Sequence, residues 1–227
     1  MMTVEEAITG RRSIRAFLPE PVPRELVERI LIAAGRAPSG SNTQPWRVRV
    51  LMGKVLEEVV AEIKAHHDSG QQGHWEYAYY PRNWREPYLA RRRACGFGLY
   101  NAAGIARGDT VAMHEQHGRN FVFFGAPVGM IFTIDRDMEI GAWLDYGMFL
   151  QSIMILARQF GLETCSQAAF ATRHAILERQ LAIPPEQMVV CGMALGYADP
   201  GAAVNGFVTE RMALEEFVTF VDHVKKE

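Results

Sequence analysis

Arg11-Arg12-Ser13-Ile14-Arg15 concentrates three guanidinium groups and a hydroxyl in five residues of a chain whose formal net charge is only -2. Guanidinium forks stay charged at physiological pH and match phosphate oxygens and polarised carbonyls with paired hydrogen bonds. The chemistry this run suggests is capture of a small anionic ligand; a solvated basic turn is the plainer alternative. Downstream, Pro38-Ser39-Gly40-Ser41-Asn42-Thr43-Gln44-Pro45-Trp46 offers short hydroxyl and amide groups. Such groups suit the polar edge of a heterocycle, although taken alone the segment has ordinary turn composition. Trp46 reads as a core or loop anchor rather than a stacking residue.

Other chemistry is weakly signalled. His114-Glu115-Gln116-His117 is one residue short of H-E-x-x-H and has no evident third ligand, so no metal is expected. His66-His67 reads as a solvated pair. Cys95, Cys165 and Cys191 are odd in number and widely spaced, which fits a reducing compartment better than a disulfide framework. Cys165 reads as packing rather than a nucleophile, with no His or Asp partner beside it. Neither G-x-G-x-x-G nor a P-loop occurs, so a resident dinucleotide fold is not supported.

These residues must be positioned by a core, and 227 residues with 48% hydrophobic content suffice for one. The near-neutral balance gives no broad surface for nucleic acid or anionic membrane. No uninterrupted apolar stretch reads as a membrane span, and Met1 to Glu6 lack the features of a secretory signal. The expected location is cytoplasmic. Periodicity predicts amphipathic helices over 23–37 and 54–66, and a half-buried strand over 46–52. Apolar runs at 127–133 and 188–195 read as buried strands. Residues 141–159 read as a central helix, apolar around most of its circumference and packed by neighbours or by a second subunit. Residues 211–226 read as a closing helix with a Leu214, Phe217, Val218, Val221 stripe. The polar, aromatic and Pro-broken stretch 67–92 reads as a lid-like insert. Helices with few strands and no regular βαβ alternation argue for α+β.

The Arg-Arg-Ser-Ile-Arg run followed by Pro-Ser-Gly-Ser-Asn-Thr-Gln-Pro-Trp resembles the paired N-terminal signature of the nitroreductase family. The stretches from Gly161 to Phe170 and from Gly196 to Pro200 resemble its C-terminal half. The resemblance covers most of the chain outside 67–92. It implies a single α+β domain over 1–227: a three-layer sandwich with a mixed or antiparallel sheet flanked by helices, in an intertwined homodimer. It also implies FMN at the subunit interface. NAD(P)H would be a transient co-substrate, giving hydride to flavin N5 in a ping-pong exchange with nitroaromatic, quinone or similar planar acceptors.

Carried over residue by residue, the resemblance assigns Arg11 and Ser13 to phosphate and ribityl contacts, with Arg12 alongside. Arg211 matches the family's C-terminal basic position, although Val208 stands where relatives often carry a further cation. Arg15 occupies the flavin-tuning position, where a fixed cation favours negative charge over N1 and the C2 carbonyl. Ser39, Ser41 and Asn42, with Pro38, Gly40 and Gln44 around them, would approach the flavin from the partner subunit. The backbone amides of Ala168 and Ala169, preceded by Gln167, would face N5 and O4; Ser166 stands where relatives commonly have Pro. No indispensable side-chain acid or base is expected, the cofactor carrying most of the chemistry and water supplying the proton.

Aromatic rings in 67–92 and in 119–124 are candidates for shaping acceptor choice, although core packing accounts for them equally well. Arg82, Arg85 and Arg91 to Arg93 suggest an aromatic carboxylate such as a nitrobenzoate. Two other readings stay open at this point. One is different flavin chemistry on the same fold, such as enone reduction, reductive dehalogenation or fragmentation of the flavin; the other is a non-catalytic flavin-binding protein.

Overall fold

The computed structural model describes residues 2–223. Helix α1 (Val4–Gly10) opens on a capping box between Thr3 and Glu6. Then come α2 (Arg24–Ala34), β1 (Arg47–Met52), α3 (Gly53–Asp68), α4 (Tyr88–Ala102) and α5 (Thr110–Gly118). The remainder is β2 (Val128–Asp135), α6 (Ile140–Gln159), β3 (Glu163–Gln167), α7 (His174–Gln180) and β4 (Gln187–Gly196). The four strands form one sheet in the order β1-β2-β4-β3, with every neighbouring pair antiparallel.

Apolar side chains cover both faces of this sheet, giving three layers. On one face Val27 and Ile30 of α2 and Tyr146, Phe149 and Ile153 of α6 pack against Met130, Phe132 and Met193. On the other, Val59 and Ile63 of α3, with Phe121, Phe123, Phe170 and Leu177, pack against Ile131 and Ala194. Strand β2 is central and buried along nearly its whole length, so it reads as a continuous apolar run rather than an alternation. Tyr146 is 1% exposed, and its hydroxyl donates to Arg47 O (3.0 Å) and Thr133 O (2.9 Å). A polar tip inside the core is thereby satisfied, and α6 is tied to β1 and β2.

Several expectations need correction. The closing helix over 211–226 does not form within the described residues; only the turn Leu214–Glu216 does. Phe217, Phe220 and Val221 are 64%, 78% and 77% exposed, so the stripe meets no surface of this copy, and a short helix with an unburied face has little to stabilise it. Lys226 lies outside the described residues. Strand β3 was not anticipated. The irregular part of the insert is narrower than 67–92, since α3 runs to Asp68 and α4 starts at Tyr88. By length and composition α6 could cross a membrane, although Asp145 and Arg158 interrupt it; here its Tyr146, Phe149, Ile153 and Ala157 lie in the core.

Phe170 is fully buried directly after the Ala168-Ala169 pair, stacked on Phe123 with centroids 4.3 Å apart. It reaches the sheet because β4 carries Gly192 beneath it; a Cβ there would stand 2.4 Å from the ring. Gly192→Ala is expected to cost about 1–3 kcal/mol through overpacking. Thermal melting checks this: a drop of several degrees is expected, and an unshifted midpoint would show that Phe170 is not fixed by this strand.

Candidate functional site

Residues 11–18 run as an extended strip beside β3. Ile14 N donates to Thr164 O (3.1 Å), with Ser13 and Thr164 in a parallel bridge. Asn205 fixes the strip from outside: its Oδ1 accepts from the amides of Arg15 (2.8 Å) and Ala16 (3.1 Å), while its Nδ2 donates to Ala16 O (2.8 Å). Among the described residues neither Arg11 nor Arg12 enters an ion pair. Arg15 Nη1 reaches only the carbonyl of Ser13, at 3.1 Å. The strip thus presents uncompensated cations on an ordered backbone.

The polar loop 38–44 is ordered differently. Ser41, Asn42 and Gln44 have φ of 49°, 56° and 48°, left-handed conformations that cost non-glycine residues free energy unless the surroundings impose them. Ser39 Oγ accepts from Gln44 N (3.0 Å), and Gly40 N donates to Asp145 Oδ2 (3.0 Å). Ser41, Asn42 and Gln44 remain exposed. Trp46 stacks on Phe149 at 4.8 Å between centroids, the anchor expected of it.

Helix α6 holds the loop directly, through Asp145, and the strip indirectly, through α1 before it and β3 beside it. Asp145 and Arg158 are the two charged residues of this helix. Arg158 Nη1 donates to Glu6 O (2.8 Å) and Ala7 O (3.2 Å) at the end of α1, and its Nε to Glu163 Oε1 (3.0 Å). Gly10 leaves the guanidinium room, since a Cβ there would stand 2.3 Å from Nη1. Burial raises the Glu163 carboxyl above its usual range, against the pull first of Arg158 and then of Arg12 and Arg11. Sequence reasoning missed Asp145, Arg158 and Asn205. Two lone charges in an apolar helix were the available signal for the first two.

Beyond β3, Gln167 is 2% exposed and donates through Nε2 to Asn120 O (2.6 Å), while its Oε1 is buried without a partner among the described residues. Ala168 and Ala169 open a 3-10 turn whose first N–H groups have no acceptor within it. Ser166 and Ala168 border a cavity of about 600 Å³ between β4, the start of α6 and the insert. Tyr77, Tyr79 and Trp143 form its aromatic wall, and Cys191 and Glu139 also line it.

The insert is pinned at separate points. Tyr77 OH donates to Val190 O (2.5 Å), and its ring meets Trp143 at 4.7 Å. Arg136 Nη2 donates to Glu76 Oε1 (2.7 Å), and the Nε2 atoms of His74 and His174 are 2.8 Å apart. Three of the five arginines that suggested a carboxylate acceptor are engaged elsewhere: Arg92 stacks on Trp84 (4.6 Å), Arg85 on Tyr88 (4.9 Å), and Arg91 pairs with Glu216 (3.7 Å). None of them lines the cavity.

Other candidates fall outside this region. Phe121, Phe123 and Phe124 are core residues, at most 2% exposed, so 119–124 offers no rings to the cavity. His67 is buried rather than solvated, stacked on His114 at 4.0 Å, and burial lowers its pKa and that of His117. Asp68 beside it is taken by Lys64. Arg211 is exposed and turns back to Thr209, with Nη1 2.6 Å from Oγ1. Burial pushes the Cys165 thiol up to about 11 and the Cys191 thiol up to about 12. Both therefore stay protonated well above neutral pH, while Cys95 is exposed. A disulfide reagent at pH 8 should consume one thiol quickly in the native protein and three in denaturant; a second fast thiol would contradict the burial of this pair.

The model of the Nitroreductase family matches residues 8–197. A chloronitrobenzene nitroreductase from Comamonas testosteroni is 43% identical over 219 residues, 96% of each chain. A 4-nitrobenzoate reductase from Pseudomonas putida is 39% identical over 218 residues, 96% of this chain and 95% of that one. The crystal structure of the FMN- and NADPH-dependent nitroreductase NfnB from sphigopyxis sp. strain HMH is 36% identical with a TM-score of 0.93, covering 97% of this chain and all of that one. A guanidinium strip along an edge strand and a strained hydroxyl loop, both held by one apolar helix, are therefore the features of a chain that belongs to the nitroreductase family.

Proposed function

We propose that this chain is an FMN-dependent oxidoreductase that carries electrons from NAD(P)H to nitroaromatic, quinone or similar planar acceptors. It would act in the cytoplasm as a homodimer with two shared sites, each chain a single domain with a lid-like insert. The observation that carries the reading is the uncompensated Arg11-Arg12-Ser13 group on the ordered strip beside β3. A terminal phosphate carries between one and two negative charges near neutral pH, and converging guanidinium and hydroxyl donors answer it with charge-assisted hydrogen bonds. The buried, unpartnered Gln167 Oε1 beside Ala168 and Ala169 offers an acceptor next to two amide donors, which fits the mixed polar edge of a flavin.

In this reading Arg11, Arg12 and Ser13 hold phosphate and ribityl oxygens, with Arg211 as a further cation. Ala168 and Ala169 present backbone N–H groups to the ring, and Arg15 provides a fixed positive charge at its opposite edge. FMN held there would supply two-electron hydride chemistry between NAD(P)H and the acceptor, in a ping-pong exchange. Arg15 favours whichever state of the ring carries negative charge, and water supplies the proton.

A second copy is needed because loop 38–44 and the strip are tied to opposite ends of α6. Asp145 and Arg158 are thirteen residues apart, about 20 Å along a helix. Pro38, Ser39, Gly40, Ser41, Asn42 and Gln44 would then reach the flavin held by the other copy. Ile140 and Leu144 of α6 are 86% and 72% exposed, an unburied apolar face next to the cavity. Covering that face with its symmetry mate buries it and closes the site together.

Purified protein should be yellow and bleach anaerobically on addition of NADPH. Arg11→Ala should weaken FMN about 10- to 100-fold, the loss of one charge-assisted contact, as read by flavin fluorescence titration. Arg15→Ala, loaded with FMN, should have a midpoint potential lower by roughly 20–40 mV, equivalent to about 1–2 kcal/mol. Folded protein that stays colourless and takes up no FMN at micromolar concentrations would overturn the reading.

A further inference from the structure

The cavity beside Ser166 and Ala168 carries information about the acceptor. Its wall is aromatic through Tyr77, Tyr79 and Trp143, and aliphatic through Met188, Val190 and Leu150. A flat ring is well served by such a slot, which contributes burial and offset stacking. No Lys, Arg or His lines it, and Glu139 is the one lining side chain that is ordinarily ionised at neutral pH. Among the described residues no cation pairs with Glu139. It is exposed, and as the N-cap of α6 it sits where the helix dipole would otherwise favour a bound anion. Burial holds Tyr77 and Cys191 protonated, so they add no charge of their own.

Resting on the proposed function, and on the cavity's border at Ala168, whose amide that function assigns to the flavin, we infer that this cavity receives the acceptor and selects uncharged nitroarenes, with Glu139 as the specificity-determining residue that disfavours nitrobenzoates. An acceptor carboxylate entering here loses water without gaining a counter-charge and meets a like charge at the rim. A neutral ring of the same size meets neither penalty. The selection acts on binding. The reaction itself balances without Glu139: ArNO2 + NADPH + H+ gives ArNO + NADP+ + H2O.

The test uses the FMN-loaded protein, NADPH, and a matched pair of acceptors, 4-nitrobenzamide and 4-nitrobenzoate, which differ chiefly in charge. The amide should have a kcat/KM at least about tenfold higher, the difference residing mainly in KM. Glu139→Gln should narrow the ratio by lowering KM for the acid, and the narrowing should shrink as salt is added. Glu139→Lys should go further and favour the acid. FMN absorbance of each variant reports folding independently. Equal handling of the pair by the unmodified protein, or a ratio that neither variant moves, would overturn the inference while leaving nitroarene reduction intact. FMN-loaded protein that oxidises NADPH with neither nitroarene nor menadione would instead bring down the underlying reading, and the inference with it.

Discussion

Helix α6 is apolar for most of its length, yet its two charges each end on backbone. Asp145 accepts the amide of Gly40, and Arg158 donates to the carbonyls that close α1. A charge placed among core-facing residues is costly unless hydrogen bonds compensate it, so each is tied to a specific backbone arrangement. The left-handed turn of the hydroxyl loop and the path of the arginine strip therefore depend on the element that also fills the core. Changing either charge would remove the hydrogen bonds that fix this backbone and loosen a segment that carries no core of its own.

The strip itself shows how order and charge are separated. Asn205 and Thr164 hold its backbone, and of its three guanidinium groups Arg15 alone donates back to the strip, at Ser13 O. Preorganised donors lose less conformational entropy on meeting an anion than mobile ones. The stacking of Phe170 on Phe123 acts similarly on the turn it belongs to, fixing Ala168 and Ala169 together with the hydrogen bond from the Thr172 hydroxyl to Ala169 O.

Much of this was legible from the residues. Helices α2 and α3 and strand β1 follow from periodicity, and strands β2 and β4 and helix α6 from near-continuous apolar runs, because the core takes them up. Strand β3 did not, because its sequence Glu-Thr-Cys-Ser-Gln buries the polar Thr164 and Gln167 beside Cys165 and so carries no apolar pattern. The segment after Arg211 failed in the opposite sense: its stripe is real, but a stripe makes a helix only when something covers it. His67 shows the same gap, since a histidine pair reads as polar until stacking with His114 places one of them inside. In the candidate site, the residues on the strip and loop could be recognised by motif. Asp145, Arg158 and Asn205 could not, since their role is to hold backbone across 105, 151 and 190 positions of sequence.

The anchors of the insert lie on β4, on the turn before α6 and at the head of α7, through Tyr77, Glu76 and His74. None of these attachments involves the arginine strip or Asn205. The wall facing the open side of the cavity is mechanically uncoupled from the machinery that would grip a phosphate. Descendants of this chain could exchange segment 73–80 and acquire new tastes in small molecules, while inheriting the older half of the site unaltered.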